Sequence, residues 1–263
     1  ESIMVGSAEE HKAILIEVSP KNFGVYEVEN SSELICSNHF QSEAYVEDSR
    51  NRSAIKNSHT QQRYDRMKEL LAESNRLNPE KAAAILRDKK GINDKTLGYG
   101  NELAINQLLA HHGIIFQPEE RKVWVSSSPY QLGAFVAYDL DEVFKEFEQG
   151  DHSLKGIDSL GIQEDPFVNS KAFKNYENYR KESRLLQEHI QRKEQVSEEK
   201  LVSFIALNPD FWKAYYWVGE YYFQQRNYKK AIVYFKQALL REVTTLPDRK
   251  MLEKRIKKSY RKI

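Results

Sequence analysis

The chain has a single cysteine, Cys36, among 263 residues. No disulfide can form within it, and cysteine usage leaves the redox compartment open. Nor does any apolar run approach the roughly 18 residues of a membrane span, so no spanning segment is expected. No leader pattern is visible at Glu1. Both cytoplasmic residence and export directed by a signal on a preceding segment stay open. An excess of one charge is lacking too: 40 Lys and Arg face 39 Asp and Glu, a formal +1. That balance argues against a general polyanion binder and against nucleic acid as a partner. No Cys/His/Asp cluster has the spacing of a metal site. His111 and His112 are adjacent, and neighbours on a strand point to opposite faces, so they do not chelate as a pair.

What is present is a chain 40% apolar and 30% charged, slightly more polar than an average globular protein, with room for one large domain or two ordinary ones. Residues 2–40 read as strands. Ser2–Gly6 is a short apolar run, and Ile3-Met4-Val5 looks like a buried strand met in mid-domain. Lys12–Val18 alternates and stops at Pro20, and Gly24–Val28 pairs with it across the turn. Leu34–Cys36 reads as a further short strand. Residues 41–58 are polar and read as a surface loop. Ser58 looks like the cap of a helix carrying Tyr64, Met67, Leu70 and Leu71. Asn78-Pro79-Glu80 opens another that ends before Gly91. Residues 103–116 are ambiguous between helix and strand. Ile114–Phe116 with Lys122–Ser126 predicts a hairpin, and Tyr130–Val136 another extended segment. Strands, helices and then strands again imply α+β.

Composition shifts near residue 145. The expected organisation is one domain over 1–145, a linker at 146–170 and an all-α segment over 171–263. Residues 174–200 have few apolar positions, which suits a linking or solvated helix. Tyr215, Val218, Gly219, Tyr222, Tyr228, Ala231, Phe235 and Ala238 have the spacing of a tetratricopeptide repeat, placed at about 211–243. The small residues let two helices approach, and the aromatic ones fill the gaps. The basic tail Lys254–Lys262 reads as a solvated helix.

Three stretches carry a family resemblance. The first is Ser2–Ser7 with Ala13-Ile14-Leu15-Ile16-Glu17-Val18-Ser19-Pro20. The second is Cys36-Ser37-Asn38-His39-Phe40 with Ser58-His59 and Arg63-Tyr64-Asp65-Arg66-Met67. The third is Ile105-Asn106-Gln107 through His111-His112-Gly113-Ile114-Ile115-Phe116-Gln117-Pro118, then Lys122-Val123-Trp124-Val125. Together, up to about Asp141, they resemble the isopenicillin N acyltransferase and penicillin/bile-salt amidase (choloylglycine hydrolase-like) group of N-terminal-nucleophile hydrolases.

The resemblance implies a four-layer αββα sandwich, of which this chain would hold part. In the family a precursor cleaves itself before a cysteine. The freed cysteine then attacks an amide carbonyl, with its own amine as base. Glu1 stands first here, so the nucleophile is expected on a segment preceding Ser2. Asn38 is the implied oxyanion donor, supported by Ser37 and His39. No arginine occurs between Arg87 and Arg121, and the acyltransferases carry a substrate-binding one beyond the Asn-His motif. That counts against a penicillin-type substrate.

From the residues themselves, Cys36 reads as a buried structural thiol. Arg63 and Arg66 fall on a solvated helix face, with Arg63 kept as a candidate substrate contact. The expected function is therefore cleavage or transfer of an acyl group at a linear amide, on a small N-acyl or peptide-like substrate, with no cofactor. The alternative is a non-catalytic scaffold that binds a protein partner, or a second copy, through its helical repeat.

Overall fold

A computed structural model describes residues 1–28, 31–73, 76–150 and 153–263. The architecture is mixed α+β, with two three-stranded antiparallel sheets and a set of helices. The chain forms two compact units. One comprises Glu1–Asp88 and Leu109–Asp165, the other Lys89–Leu108 and Pro166–Ile263.

In the first unit β1 (Ser2–Ser7), β2 (Lys12–Val18) and β3 (Phe23–Glu27) form a meander with Met4 opposite Leu15 and Leu15 opposite Tyr26. Alternation then sorts the side chains. One face carries Leu15 and Glu17, both 0% exposed, and Gly24. A Cβ at Gly24 would come within 2.1 Å of Ser42 Oγ, so the glycine lets the following segment lie against the sheet. The other face carries Ile3, Val5, Ile14, Ile16, Val18, Phe23 and Val25, and it is open. Ile3 is 51% exposed and Phe23 63%. The strand expected at Ile3–Val5 exists, but it is not buried: Ile3 and Val5 lie on this open face, and Met4, on the face of Leu15, is 51% exposed as well.

No strand forms at Leu34–Cys36. Side chains take over its backbone groups: Gln41 Nε2 donates to the Ile35 carbonyl at 2.7 Å. The expected loop at 41–58 contains α1 (Ser49–Asn57), capped by Asp48, whose carboxylate accepts from Asn51 N at 2.7 Å. This helix has little apolar periodicity, which is why its pattern is silent. Ser58 closes α1 rather than opening α2 (Thr60–Ala72). Arg63 and Arg66 are buried rather than solvated, at 6% and 2% exposure. Arg66 donates to both oxygens of Asp88 at 2.9 and 3.1 Å and to Glu69 at 2.8 Å, which compensates its desolvation. Asn78 and Pro79 open α3 (Pro79–Leu86) as expected.

The second sheet joins β4 (Ile114–Gln117), β5 (Lys122–Ser126) and β6 (Phe135–Asp139). Its inner face, Ile115, Trp124 and Ala137, packs with Phe135 against Ala82, Ala83 and Leu86 of α3. Its outer face exposes Ile114, Phe116 and Val136, while Val123 on the same face is buried. His111 and His112 precede β4 outside any strand, and both are exposed. The expected linker begins inside α4 (Leu140–Glu148) and then packs on this sheet. Trp124 Nε1 donates to the Leu160 carbonyl at 2.8 Å, and Ile162 bridges Phe135.

The second unit holds α5 (Lys171–Arg192), α6 (Glu198–Ala206), α7 (Trp212–Gln224), α8 (Tyr228–Leu239) and α9 (Leu246–Tyr260). The helix expected to be linking or solvated is α5, and it buries Tyr176, Tyr179, Leu186 and Ile190. It ends at Lys193 in the left-handed region. Helices α7 and α8 pack tightly because Gly219 faces Phe235; a Cβ there would lie 2.6 Å from the ring. Residues 89–108 belong to this unit through polar ties. Asn208 exchanges two bonds with the backbone of Tyr99, at 2.8 and 3.1 Å. Asn101 donates to the Glu242 carbonyl at 2.9 Å. Trp212 donates to Thr244 at 2.8 Å, and Thr244 to Asn101 at 3.0 Å. Among the described residues no helix is long and apolar enough to cross a membrane.

Candidate functional site

The Cys36–Ser42 segment is irregular, yet buried polar groups fix it from three elements. From β2, Glu17 accepts from Gln41 N at 2.8 and 3.0 Å and from Ser42 N at 2.8 Å. A fully buried carboxylate met by two backbone donors anchors the segment to the sheet. From α1, Asn51 mimics a strand partner. Its Oδ1 accepts from Phe40 N and its Nδ2 donates to the Phe40 carbonyl, both at 2.9 Å.

From α2, Thr60 meets Ser37 Oγ twice, through its carbonyl and its hydroxyl, and His39 Nδ1 once, all at 2.9 Å. One arrangement of protons satisfies all three contacts. Ser37 donates to the Thr60 carbonyl, the Thr60 hydroxyl donates to Ser37 Oγ, and His39 donates from Nδ1 to Thr60 Oγ1. In that arrangement His39 carries a proton on Nδ1. Burial lowers its pKa and Arg63 adds to that, against the opposing charges of Glu17 and Asp65.

With its neighbours fixed, Asn38 is the exposed member. Its Oδ1 accepts from Arg63 Nη2, and Arg63 Nη1 also meets His59 Nδ1. Arg63 thus orients the amide through its oxygen. The Nδ2 group has no partner among the described residues.

Asn38 lines a cavity of about 840 Å³, with Ser2, Ser19, Cys36, Asp48 and Arg50 among its other walls. Cys36, expected as a buried thiol, is only partly buried; that burial raises its pKa, the Glu17 charge adds to this, and a bond with Ser2 opposes it. That suits a packing role and not a nucleophile.

The structure brings Ser37, Asn38, His39 and Arg63 together. Arg63 reaches Asn38 itself, which the solvated-face reading missed. Glu17, Asn51 and Thr60 were also missed. For Glu17 a signal existed, since it shares the inward register of Leu15 in an apolar strand. Asn51 and Thr60 act across turns that local pattern does not encode. Among the described residues no group of three His, Cys, Asp or Glu converges as metal ligands. Comparison with protein-family models, with curated proteins and with solved structures gives no match.

Proposed function

We propose that residues 2–141 form the later part of an N-terminal-nucleophile amidohydrolase or acyltransferase, with Asn38 as oxyanion donor. The observation that carries this reading is the Asn38 amide. Its oxygen is engaged by Arg63, and its two Nδ2 hydrogens meet no acceptor among the described residues, on a cavity wall. A donor held in place before the reaction needs no reorganisation when charge develops. In this reading the thiolate of a cysteine outside residues 1–263 attacks the amide carbon. The carbonyl oxygen becomes an oxyanion that Asn38 stabilises. The C–N bond then breaks, the amine leaves with a proton, and the acyl-enzyme passes its acyl group to water or to another amine.

The open apolar faces of both sheets also support the αββα assignment. A sandwich buries such faces between its sheets and keeps its helices outside. We further read residues 211–243 as a tetratricopeptide-like repeat, on the close fit of Gly219 to Phe235 and the full burial of Ala231 and Ala238.

The test starts with intact mass and N-terminal sequence of the protein from its native cells. A cysteine-first segment, joined or co-purifying, is expected; a native chain beginning at Glu1 and acting alone would sink the catalytic reading. With amidase activity on N-acyl amides in hand, Asn38→Ala should lower kcat by ~10²-fold or more. Some stability should be lost as well, because buried Arg63 loses one acceptor; turnover is therefore compared where circular dichroism shows both proteins folded. Unchanged turnover would remove Asn38 from the mechanism.

A further inference from the structure

The formal charge of +1 is the difference of two large, opposite charges. The first unit has 15 Lys and Arg against 26 Asp and Glu, a net −11; the second has 25 against 13, a net +12. The expectation drawn from overall balance therefore does not hold for the second unit taken by itself.

Part of that positive charge is ordered on one helix face. Helix α9 buries Leu252 and Ser259 on its inner side, and Arg255 turns inward to Glu220, with Nη2 donating to Oε2 at 2.8 Å. Its outer side carries Lys250, Lys254, Lys257 and Arg261, all exposed, with one exposed carboxylate, Glu253, beside them. Steps of four, three and four residues put them in one row about 16 Å long. None of the four pairs with a carboxylate among the described residues.

Helix α8 has a parallel row of exposed residues: Lys229, Val233, Lys236 and, at its end, Leu240. Val233 is 54% exposed and Leu240 75%. The rows meet where Lys236 Nζ donates to Tyr260 Oη at 2.9 Å. Cations and aliphatic side chains thus share one surface.

We infer that this α8–α9 face binds the surface of an anionic lipid bilayer. Lysine and arginine heads would lie against anionic headgroups, while Val233, Leu240 and the half-exposed Tyr260 enter the boundary between headgroups and acyl chains. Polybasic and apolar contributions add at such a surface. A nucleic acid would use the cations but gain little from aliphatic side chains. Stacking on successive bases needs several exposed rings; of the ten aromatic side chains of α7 and α8 five are buried and the other five partly so, which leaves Tyr260 as a single exposed ring on this face. The inference is independent of the amidase reading.

The experiment is flotation of the full chain with vesicles of phosphatidylcholine alone and of phosphatidylcholine with roughly a third phosphatidylglycerol. Binding is expected only to the second, and it should weaken as salt shortens the screening length. Replacing Lys250, Lys254, Lys257 and Arg261 together by Gln should lower partitioning on the order of 10²- to 10³-fold. The fold should survive, since all four are exposed; circular dichroism checks this. Val233→Ser with Leu240→Ser should lower partitioning about 10-fold while leaving the salt dependence as it was. Equal binding to neutral vesicles would overturn the inference, as would a quadruple variant that still binds. So would a chain that ignores both vesicles but binds a single-stranded oligonucleotide through the same four residues.

Discussion

The two units solve the problem of order in opposite ways. Among the described residues the helical unit buries 22 apolar residues and exposes seven large ones, while the sheet-containing unit buries ten and exposes sixteen. The helical unit holds together by non-directional packing, with aromatic rings fitted around Gly219, Ala231 and Ala238. The sheet unit has less apolar core to draw on, and it fixes its Cys36–Ser42 segment with directional bonds from buried Glu17, Asn51, Thr60 and Arg63. Packing of the first kind gives stability that degrades smoothly with lost volume. Bonding of the second kind fixes a few atoms in space at a cost in desolvation, which is what a reactive site requires.

Substitutions can break this contrast. The largest effect is expected in the helical core. Phe235 is 0% exposed, and Phe235→Ala should cost ~3–5 kcal/mol, read from denaturant midpoints. A cost below ~1 kcal/mol would mean that the core collapses to fill the space. Glu17→Gln comes next. The amide keeps one acceptor but turns N–H toward the backbone donors of Gln41 and Ser42, so ~2–3 kcal/mol should be lost. If the amidase reading is right, turnover should fall further than stability alone accounts for, because Asn38 loses its fixed position. Third is Gly219→Ala, whose Cβ would press on Phe235 at 2.6 Å. Overpacking of this kind costs ~1–3 kcal/mol, and a neutral result would show that the α7–α8 contact is looser than the structure has it.

The same contrast decides how much was readable in the sequence. Elements whose order is apolar and local were legible: β2 from its alternation, α3 from Asn78 and Pro79, and α7 and α8 from the spacing of Tyr215 to Ala238. Elements ordered by polar side chains across space were not. Helix α1 has almost no apolar stripe and owes its start to Asp48 and its placement to Asn51. Cys36 sits in coil where three apolar residues suggested a strand, since its segment bonds to side chains and not to a neighbouring ladder. At the site, the motif at Ser37-Asn38-His39 was visible as a string. The buried role of Arg63 was not, because helical position alone does not reveal which exposed-looking arginine meets a carbonyl oxygen. The interleaving of residues 89–108 with the helical unit was hidden as well: the bonds of Asn101 and Asn208 join positions more than 100 residues apart, and Leu97, Leu103 and Leu108 are buried in a segment with no clear period. The opposite charges of the two units were present in the composition, but they become visible only once those boundaries are known.

The smallest expected effect tests whether the polar site is ordered as described. His39 faces Glu17 from β2 and Asp65, Arg63 and Tyr64 from α2, and burial is the largest influence on it. Its folded pKa lies below the ordinary 6.5, so the unfolded chain binds the proton more readily. Stability from this group is therefore complete above 6.5 and is lost as pH falls from there through the folded value. His39→Gln removes the titration and keeps a side chain able to donate to Thr60. Denaturant unfolding of both proteins at about pH 7.5 and at about pH 5.5 isolates the difference, since the carboxylates titrate alike in each. The wild type should lose more stability over that interval than the variant. Equal losses would mean that His39 is solvated, and that the proton order through Thr60 and Ser37, on which the fixed position of Asn38 partly depends, does not hold.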